Sequence, residues 1–119
     1  MILFLREVNV NVSYYIPKRM KEGYGLNVNA IKEIKEKGAS LLITVDCGIS
    51  DVRAVEYAHD NNIDVIVTDH HEIPDNYSDA YAIINPKQPD CGFPFKGLAG
   101  VGVAFHLIIG LRKKLRELE

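Results

Sequence analysis

Leu41-Leu42-Ile43-Thr44-Val45-Asp46-Cys47-Gly48 is an unbroken run of apolar and β-branched residues that ends abruptly in an acid, a thiol and a glycine. A strand with one wet face alternates apolar and polar residues, whereas a strand covered on both faces does not, and such strands belong to parallel sheets. The same pattern returns after one helical stretch. Ser50 or Asp51 can cap a helix running to about Asp60 with Val52, Val55 and Ala58 inward, and Ile63–Thr68 is then a second buried run, ending in Asp69, His70 and His71. Strand, helix, strand in this order is the unit from which parallel α/β sheets are built.

Outward from that unit, Tyr81–Ile84 predicts another strand, stopped at Pro86, and the β-branched and aromatic Val12–Ile16 predicts one stopped at Pro17. Asn27 can cap a helix to about Lys37, with Ala30, Ile31 and Ile34 on one face and Gly38 as the stop. A last helix is expected from about Ala99 to Leu118, with Ala104, Ile108, Leu111, Leu115 and Leu118 as a narrow apolar seam. Met1–Val8 reads as the end of a helix, so further chain is expected upstream. The fold class is α/β, a parallel β-sheet with flanking helices, and residues 1–119 read as one partial domain.

Composition narrows the setting. The 119 residues are 47% hydrophobic and 25% charged, which suits a globular core, and two cysteines allow at most one disulfide. The longest mostly apolar stretch, Leu98–Leu111, is interrupted by His106 and falls short of the ~20 residues a membrane span needs. No basic segment and apolar core of a signal peptide open the chain. The expectation is a soluble, cytoplasmic protein with no membrane partner. The net charge of −2 conceals a block: residues 46–85 carry nine Asp and Glu against one Arg, and both flanks are basic. Such a block is either a solvated acidic face or a carboxylate-rich metal site between basic walls.

Ligands of parallel sheets bind beyond the carboxyl ends of the strands. That rule gathers Asp46 and Cys47, Asp69, His70 and His71, Asn85, and the basic residues Lys18, Arg19 and Lys21 on one edge. Adjacent histidines face opposite ways within a regular strand, but at a strand end they can converge. Imidazole is a ligand for Mn, Fe and Zn, and carboxylates suit Mg and Mn, so Asp46 with the histidines points to a metal site. Cys47 can either join a zinc site or serve as a small buried residue. Cys91 lies 44 positions on, and no Cys-x-x-Cys spacing exists. His59 and His106 fall inside helices and read as structural or surface residues. Gly97, Gly100 and Gly102 do not follow the order Gly-x-Gly-x-x-Gly. They either let a helix pack closely or bare N–H groups to a phosphate.

Taken together, five stretches resemble the DHH phosphoesterase superfamily, and within it RecJ-like single-strand-specific exonucleases. They are Tyr14-Tyr15-Ile16-Pro17 with Glu22-Gly23-Tyr24-Gly25-Leu26, Thr44-Val45-Asp46-Cys47-Gly48-Ile49, Val65-Ile66-Val67-Thr68-Asp69-His70-His71, Ile84-Asn85-Pro86-Lys87, and Leu98-Ala99-Gly100-Val101-Gly102-Val103-Ala104-Phe105. The resemblance implies a parallel α/β sheet, two divalent ions (Mn²⁺ or Mg²⁺), and hydrolysis of single-stranded DNA from its 5′ end to mononucleotides. It implies Asp46 as a bridging metal ligand and His70 as a second ligand. His71 would face the scissile phosphate, with Asp69 orienting the histidines. Lys18, Arg19, Lys21 and Tyr24 would contact DNA, Arg19 by forking onto a phosphate and Tyr24 by stacking. The resemblance also implies an Asp-x-Asp-x-Asp-Gly type motif on a first strand lying between Ser13–Ile16 and Leu42–Val45, which this sequence lacks, and a later metal-binding Asp beyond Glu119. The chain is therefore expected to be an internal piece of such a catalytic domain, inactive alone and prone to self-association. The competing expectations are a non-catalytic remnant that binds nucleic acid or protein, and a phosphoesterase for short oligonucleotides or cyclic dinucleotides.

Overall fold

In the computed structural model, which describes residues 1–18 and 23–119, three strands form one parallel sheet in the order β1 (Leu41–Val45), β2 (Asp64–Thr68), β3 (Ala82–Ile84). Among the described residues four helices accompany it: α1 (Ile2–Glu7), α2 (Val28–Glu36), α3 (Val52–Asp60) and α4 (Gly100–Leu118). The fold class expected from the apolar runs is the one observed. Each strand lies within about one residue of its expected bounds.

Local chemistry explains the helix limits. The Asn27 side chain accepts from the Ala30 N–H at 2.9 Å, satisfying one of the free donors at the start of α2. Gly38, at φ +80°, ends that helix in a backbone conformation other residues adopt at a cost. Asp51 stands at the cap position of α3, but its side chain makes no cap bond. Its Oδ2 instead accepts the Leu26 N–H at 2.7 Å, tying the loop before α2 to the start of α3.

The core lies between the sheet and helices α2 and α3. Ile31, Ile49, Ala54, Val55, Ala58, Ile63, Val65 and Val67 are buried together there. Ala54 rather than Val52 completes the inward face of α3, since Val52 is only half-buried. Helix α4 packs on β1 and β2 through its first turns, burying Gly100, Val103 and Ala104. Its expected seam is covered only in part: Ile108 and Leu111 are half-buried, and Leu115 and Leu118 are exposed. Length is the reason. Nineteen helical residues at 1.5 Å each reach about 28 Å, whereas a five-residue strand spans about 17 Å, so the far half of α4 overruns the sheet.

The strand expected at Val12–Ile16 is not formed. Residues 10–18 carry no regular structure, and Tyr14 and Ile16 are 67% and 75% exposed. Strand propensity records how well side chains suit a paired, half-buried surface, and this segment makes no pairing with the open edge of β1. Tyr15 instead lies under the Lys37 ammonium, 5.9 Å from the ring centre. β1 is consequently an edge strand among the described residues, with Leu41 and Val45 exposed.

Register is what positions the site. Val45 pairs with Thr68, and Thr68 pairs with Ile84. The residues after each strand (Asp46, Asp69 and Asn85) therefore stand side by side at the carboxyl edge. Two further bonds continue the ladder there: the Asp46 N–H donates to the Thr68 carbonyl at 3.0 Å, and the Asp69 N–H to the Ile84 carbonyl at 3.1 Å.

Candidate metal centre

Asp46 leaves β1 with φ +66°, in the left-handed region that Asp tolerates better than most residues. Below it, buried Thr44 and Thr68 lock the two strand ends: Thr68 Oγ1 donates to the Thr44 carbonyl at 2.5 Å, and Thr44 Oγ1 donates to the Cys47 carbonyl at 2.7 Å. Gly48, at φ +112°, completes the turn where a methyl group would press on Thr44 and Val67. The sharp turn brings the Asp46 carboxylate over the sheet edge, and its Oδ1 lies 2.9 Å from His70 Nε2.

Asp69 is the organising group of the second strand end. It is 1% exposed, and its Oδ2 accepts the Ile49 N–H at 3.1 Å. Its Oδ1 accepts the N–H groups of His70 at 2.8 Å and His71 at 3.3 Å and lies 2.6 Å from His71 Nδ1. Burial alone would push this carboxyl up. The His71 ring and the three backbone N–H groups outweigh burial and hold it below the usual value of 3.8. An ionised Asp69 accepts from Nδ1–H, which leaves Nε2 as the free nitrogen of His71.

One atom each from Asp46, His70 and His71 lies within 4.8 Å of the others, and this is the one such His, Cys, Asp and Glu group among the described residues. A carboxylate oxygen and two imidazole nitrogens at that spacing are a donor set suited to a divalent cation. Gly100 leaves space for the Asp46 carboxylate, with which a Cβ there would collide. Close approach of α4 is thus the use the structure shows for this glycine, and the positive end of the helix faces the acid.

Cys47 stays outside the group. Burial, then the carboxylates of Asp51, Asp69 and Asp46, push its thiol up to about 11, so it is held protonated beside the donors. His59 is exposed on α3, and the His106 ring lies 2.8 Å from the Gly102 carbonyl and edge-on to Phe93.

Of the expected basic residues, Arg19 and Lys21 lie outside the described residues, and Lys18 is exposed. Tyr24 reaches the centre itself. Its hydroxyl donates to the Asp46 backbone carbonyl at 2.9 Å, and its ring stands edge-on to His71 at 6.1 Å. The supporting roles of two residues went unread in the sequence. Ser78, fully buried, donates from Oγ to the Gly48 carbonyl at 3.0 Å and from its N–H to the Ile49 carbonyl at 3.0 Å. Asn85 bonds the His71 carbonyl. A polar residue between a strand and a proline signals Asn85; nothing local signals Ser78.

Over residues 1–119 the sequence matches the DHH family, N-terminal domain. The chain belongs to the DHH family. Among its relatives, the single-stranded-DNA-specific exonuclease RecJ of Bacillus subtilis (strain 168) is 50% identical over 117 residues, covering 98% of this chain and 15% of that protein. RecJ of Escherichia coli (strain K12) is 50% identical over 107 residues, covering 90% of this chain and 18% of that protein. A crystal structure of exonuclease RecJ bound to manganese superposes with a TM-score of 0.84 at 31% identity, covering 96% of this chain and 29% of that one. RecJ from Thermus thermophilus in complex with Mn²⁺ gives a TM-score of 0.74 at 27% identity, covering 96% of this chain and 15% of that one. This DHH chain therefore spans under a third of each of these proteins. No helix among its described residues is long and apolar enough to cross a membrane.

Proposed function

We propose that this chain forms part of the catalytic domain of a RecJ-like exonuclease, in which Asp46 and His70 ligate divalent ions and His71 faces the scissile phosphate of single-stranded DNA. The observation that carries this is the convergence of Asp46, His70 and His71 within 4.8 Å at the carboxyl edge of a DHH-family sheet. The manganese named for the RecJ structures supports Mn²⁺, and Mg²⁺ is the second choice for the same oxygen donors.

Divalent ions held there would neutralise the anionic phosphodiester and activate water. The protein's own residues do the rest. Asp46 offers a carboxylate that can bridge two cations, placed there by its left-handed turn. His70 adds an imidazole nitrogen 2.9 Å from that carboxylate. Asp69 fixes the His71 tautomer through Nδ1, which leaves Nε2 as a proton acceptor toward the substrate, able to take a proton from an attacking water. Tyr24 stands where the strand would enter, and Lys18, Arg19 and Lys21 bring positive charge to the backbone. Two cations need more oxygen donors than this group supplies, so the 119 residues alone should bind a cation and hydrolyse DNA very slowly. Cytoplasmic DNA repair and recombination is the setting that fits such an activity.

Fluorescence anisotropy with a 5′-labelled single strand, a duplex and a short dinucleotide tests the reading. Binding should favour the single strand and weaken with salt at a slope near −0.7 per phosphate contact. It should fall further in the Arg19→Ala, Lys21→Ala double variant. Preference for the dinucleotide would favour a small-substrate phosphoesterase instead.

A further inference from the structure

Asn85 follows β3 and is 2% exposed, yet both ends of its amide are used. Nδ2 donates to the His71 carbonyl at 3.0 Å, and Oδ1 accepts the Lys87 N–H at 2.9 Å. The ladder supplies a second tie, because the Asp69 N–H donates to the Ile84 carbonyl. The Asp69–His71 segment is therefore gripped from two directions. The Asp69 carboxylate takes its N–H groups from below, and the end of β3 takes its last carbonyl from the side.

The demand on position 85 is specific. The His71 carbonyl needs a donor and the Lys87 N–H needs an acceptor, both within reach of one short side chain. Asn supplies both. Asp of the same size would turn an oxygen toward the His71 carbonyl, and an apolar residue would satisfy neither group. Pro86 disfavours the helical region at the residue before it, which restricts the Asn85 backbone. Lys87, kept in register by the Asn85 amide, in turn pairs with Glu72, the residue after His71, at 2.6 Å.

We propose that Asn85 is a positioning residue. By holding the His71 carbonyl it sets the backbone from which the His71 ring projects, and so aims Nε2 into the space shared with Asp46 and His70. This rests on the reading of those three residues as the metal and phosphate site.

The test compares Asn85→Asp and Asn85→Ser with the wild-type chain in three measurements: cooperative urea unfolding, Mn²⁺ titration by calorimetry, and imidazole ¹⁵N resonances without metal. The expected result is folded variants in which Mn²⁺ affinity, carried by Asp46 and His70, falls by less than about tenfold. The His71 ring resonances should shift, and those of His59 and His106 should stay. A folded variant with unchanged His71 resonances overturns the proposal, as does failure of both variants to fold, which would make Asn85 a residue of the fold alone. If the wild-type chain binds no Mn²⁺, the metal reading fails, and the His71 resonances still decide whether Asn85 sets the ring.

Discussion

At the end of β2 a carboxylate 1% exposed accepts four hydrogen bonds, while between Val10 and Lys18 the side chains of Tyr14 and Ile16 stand 67% and 75% exposed. Both stretches are β-branched or aromatic. They differ in what meets them. The first has a paired strand on each side and buried polar groups that need its N–H donors. The second pairs with no strand, and a lysine ammonium stands over one of its rings. Local preference became structure only where neighbouring backbone and buried side chains could complete its hydrogen bonds.

The largest effect expected from this contrast is at Asp69. Asp69→Ala strips four donors of their acceptor in a buried place, and should cost on the order of 3 kcal/mol in urea unfolding. Asp69→Asn keeps the shape but loses the charge, and should fall between. A loss under about 0.5 kcal/mol for the alanine variant, the size of an ordinary surface change, would erase the contrast.

What was legible in the sequence follows the same line. β1 and β2 are continuous apolar runs, and a strand covered on both faces can be read without knowing its neighbours. Their terminal Asp46 and Asp69-His70-His71 then share an edge by the rule for parallel sheets, and the structure brings the donors together there. Val12–Ile16 misled because its pattern states a preference and not a partner. Ser78 was invisible because its role depends on the Gly48 and Ile49 carbonyls some thirty residues earlier. Gly100 was legible as a close approach, but its neighbour Asp46 was not.

Gly100 supplies the next prediction. Gly100→Ala places a methyl against the Asp46 carboxylate, so either α4 or Asp46 must move. The expected cost is about 1–3 kcal/mol in stability, with a matching fall in Mn²⁺ affinity read by calorimetry. Gly110→Ala, where nothing lies within 4 Å of the added group, is the control: it should leave Mn²⁺ affinity unchanged and, by removing a glycine from a helix interior, stabilise by about 0.5–1 kcal/mol.

A smaller effect is a pH dependence. Asp69 is held below the usual 3.8 in the folded chain, so its charge stabilises the fold fully above that value and loses this contribution as pH falls through the lower folded value. In metal-free buffer the urea midpoints of wild type and Asp69→Asn should therefore differ at pH 7 and converge in acid below about pH 4. A constant gap across that window would contradict the role given to the carboxylate. The smallest effect belongs to the exposed segment: Tyr14→Ser and Ile16→Ser should each change stability by no more than about 0.5 kcal/mol.

The central claim, that Asp46 and His70 form a cation site beside His71 at the carboxyl edge of the sheet, is tested most directly by Mn²⁺ titration followed through paramagnetic broadening of backbone amide NMR signals. Broadening should centre on residues 46 and 69–71 at substoichiometric Mn²⁺ and be lost in Asp46→Ala. Broadening centred on another acidic stretch, such as the exposed Asp64 and Asp79 at the opposite end of the strands, or a pattern indifferent to Asp46→Ala, would contradict it.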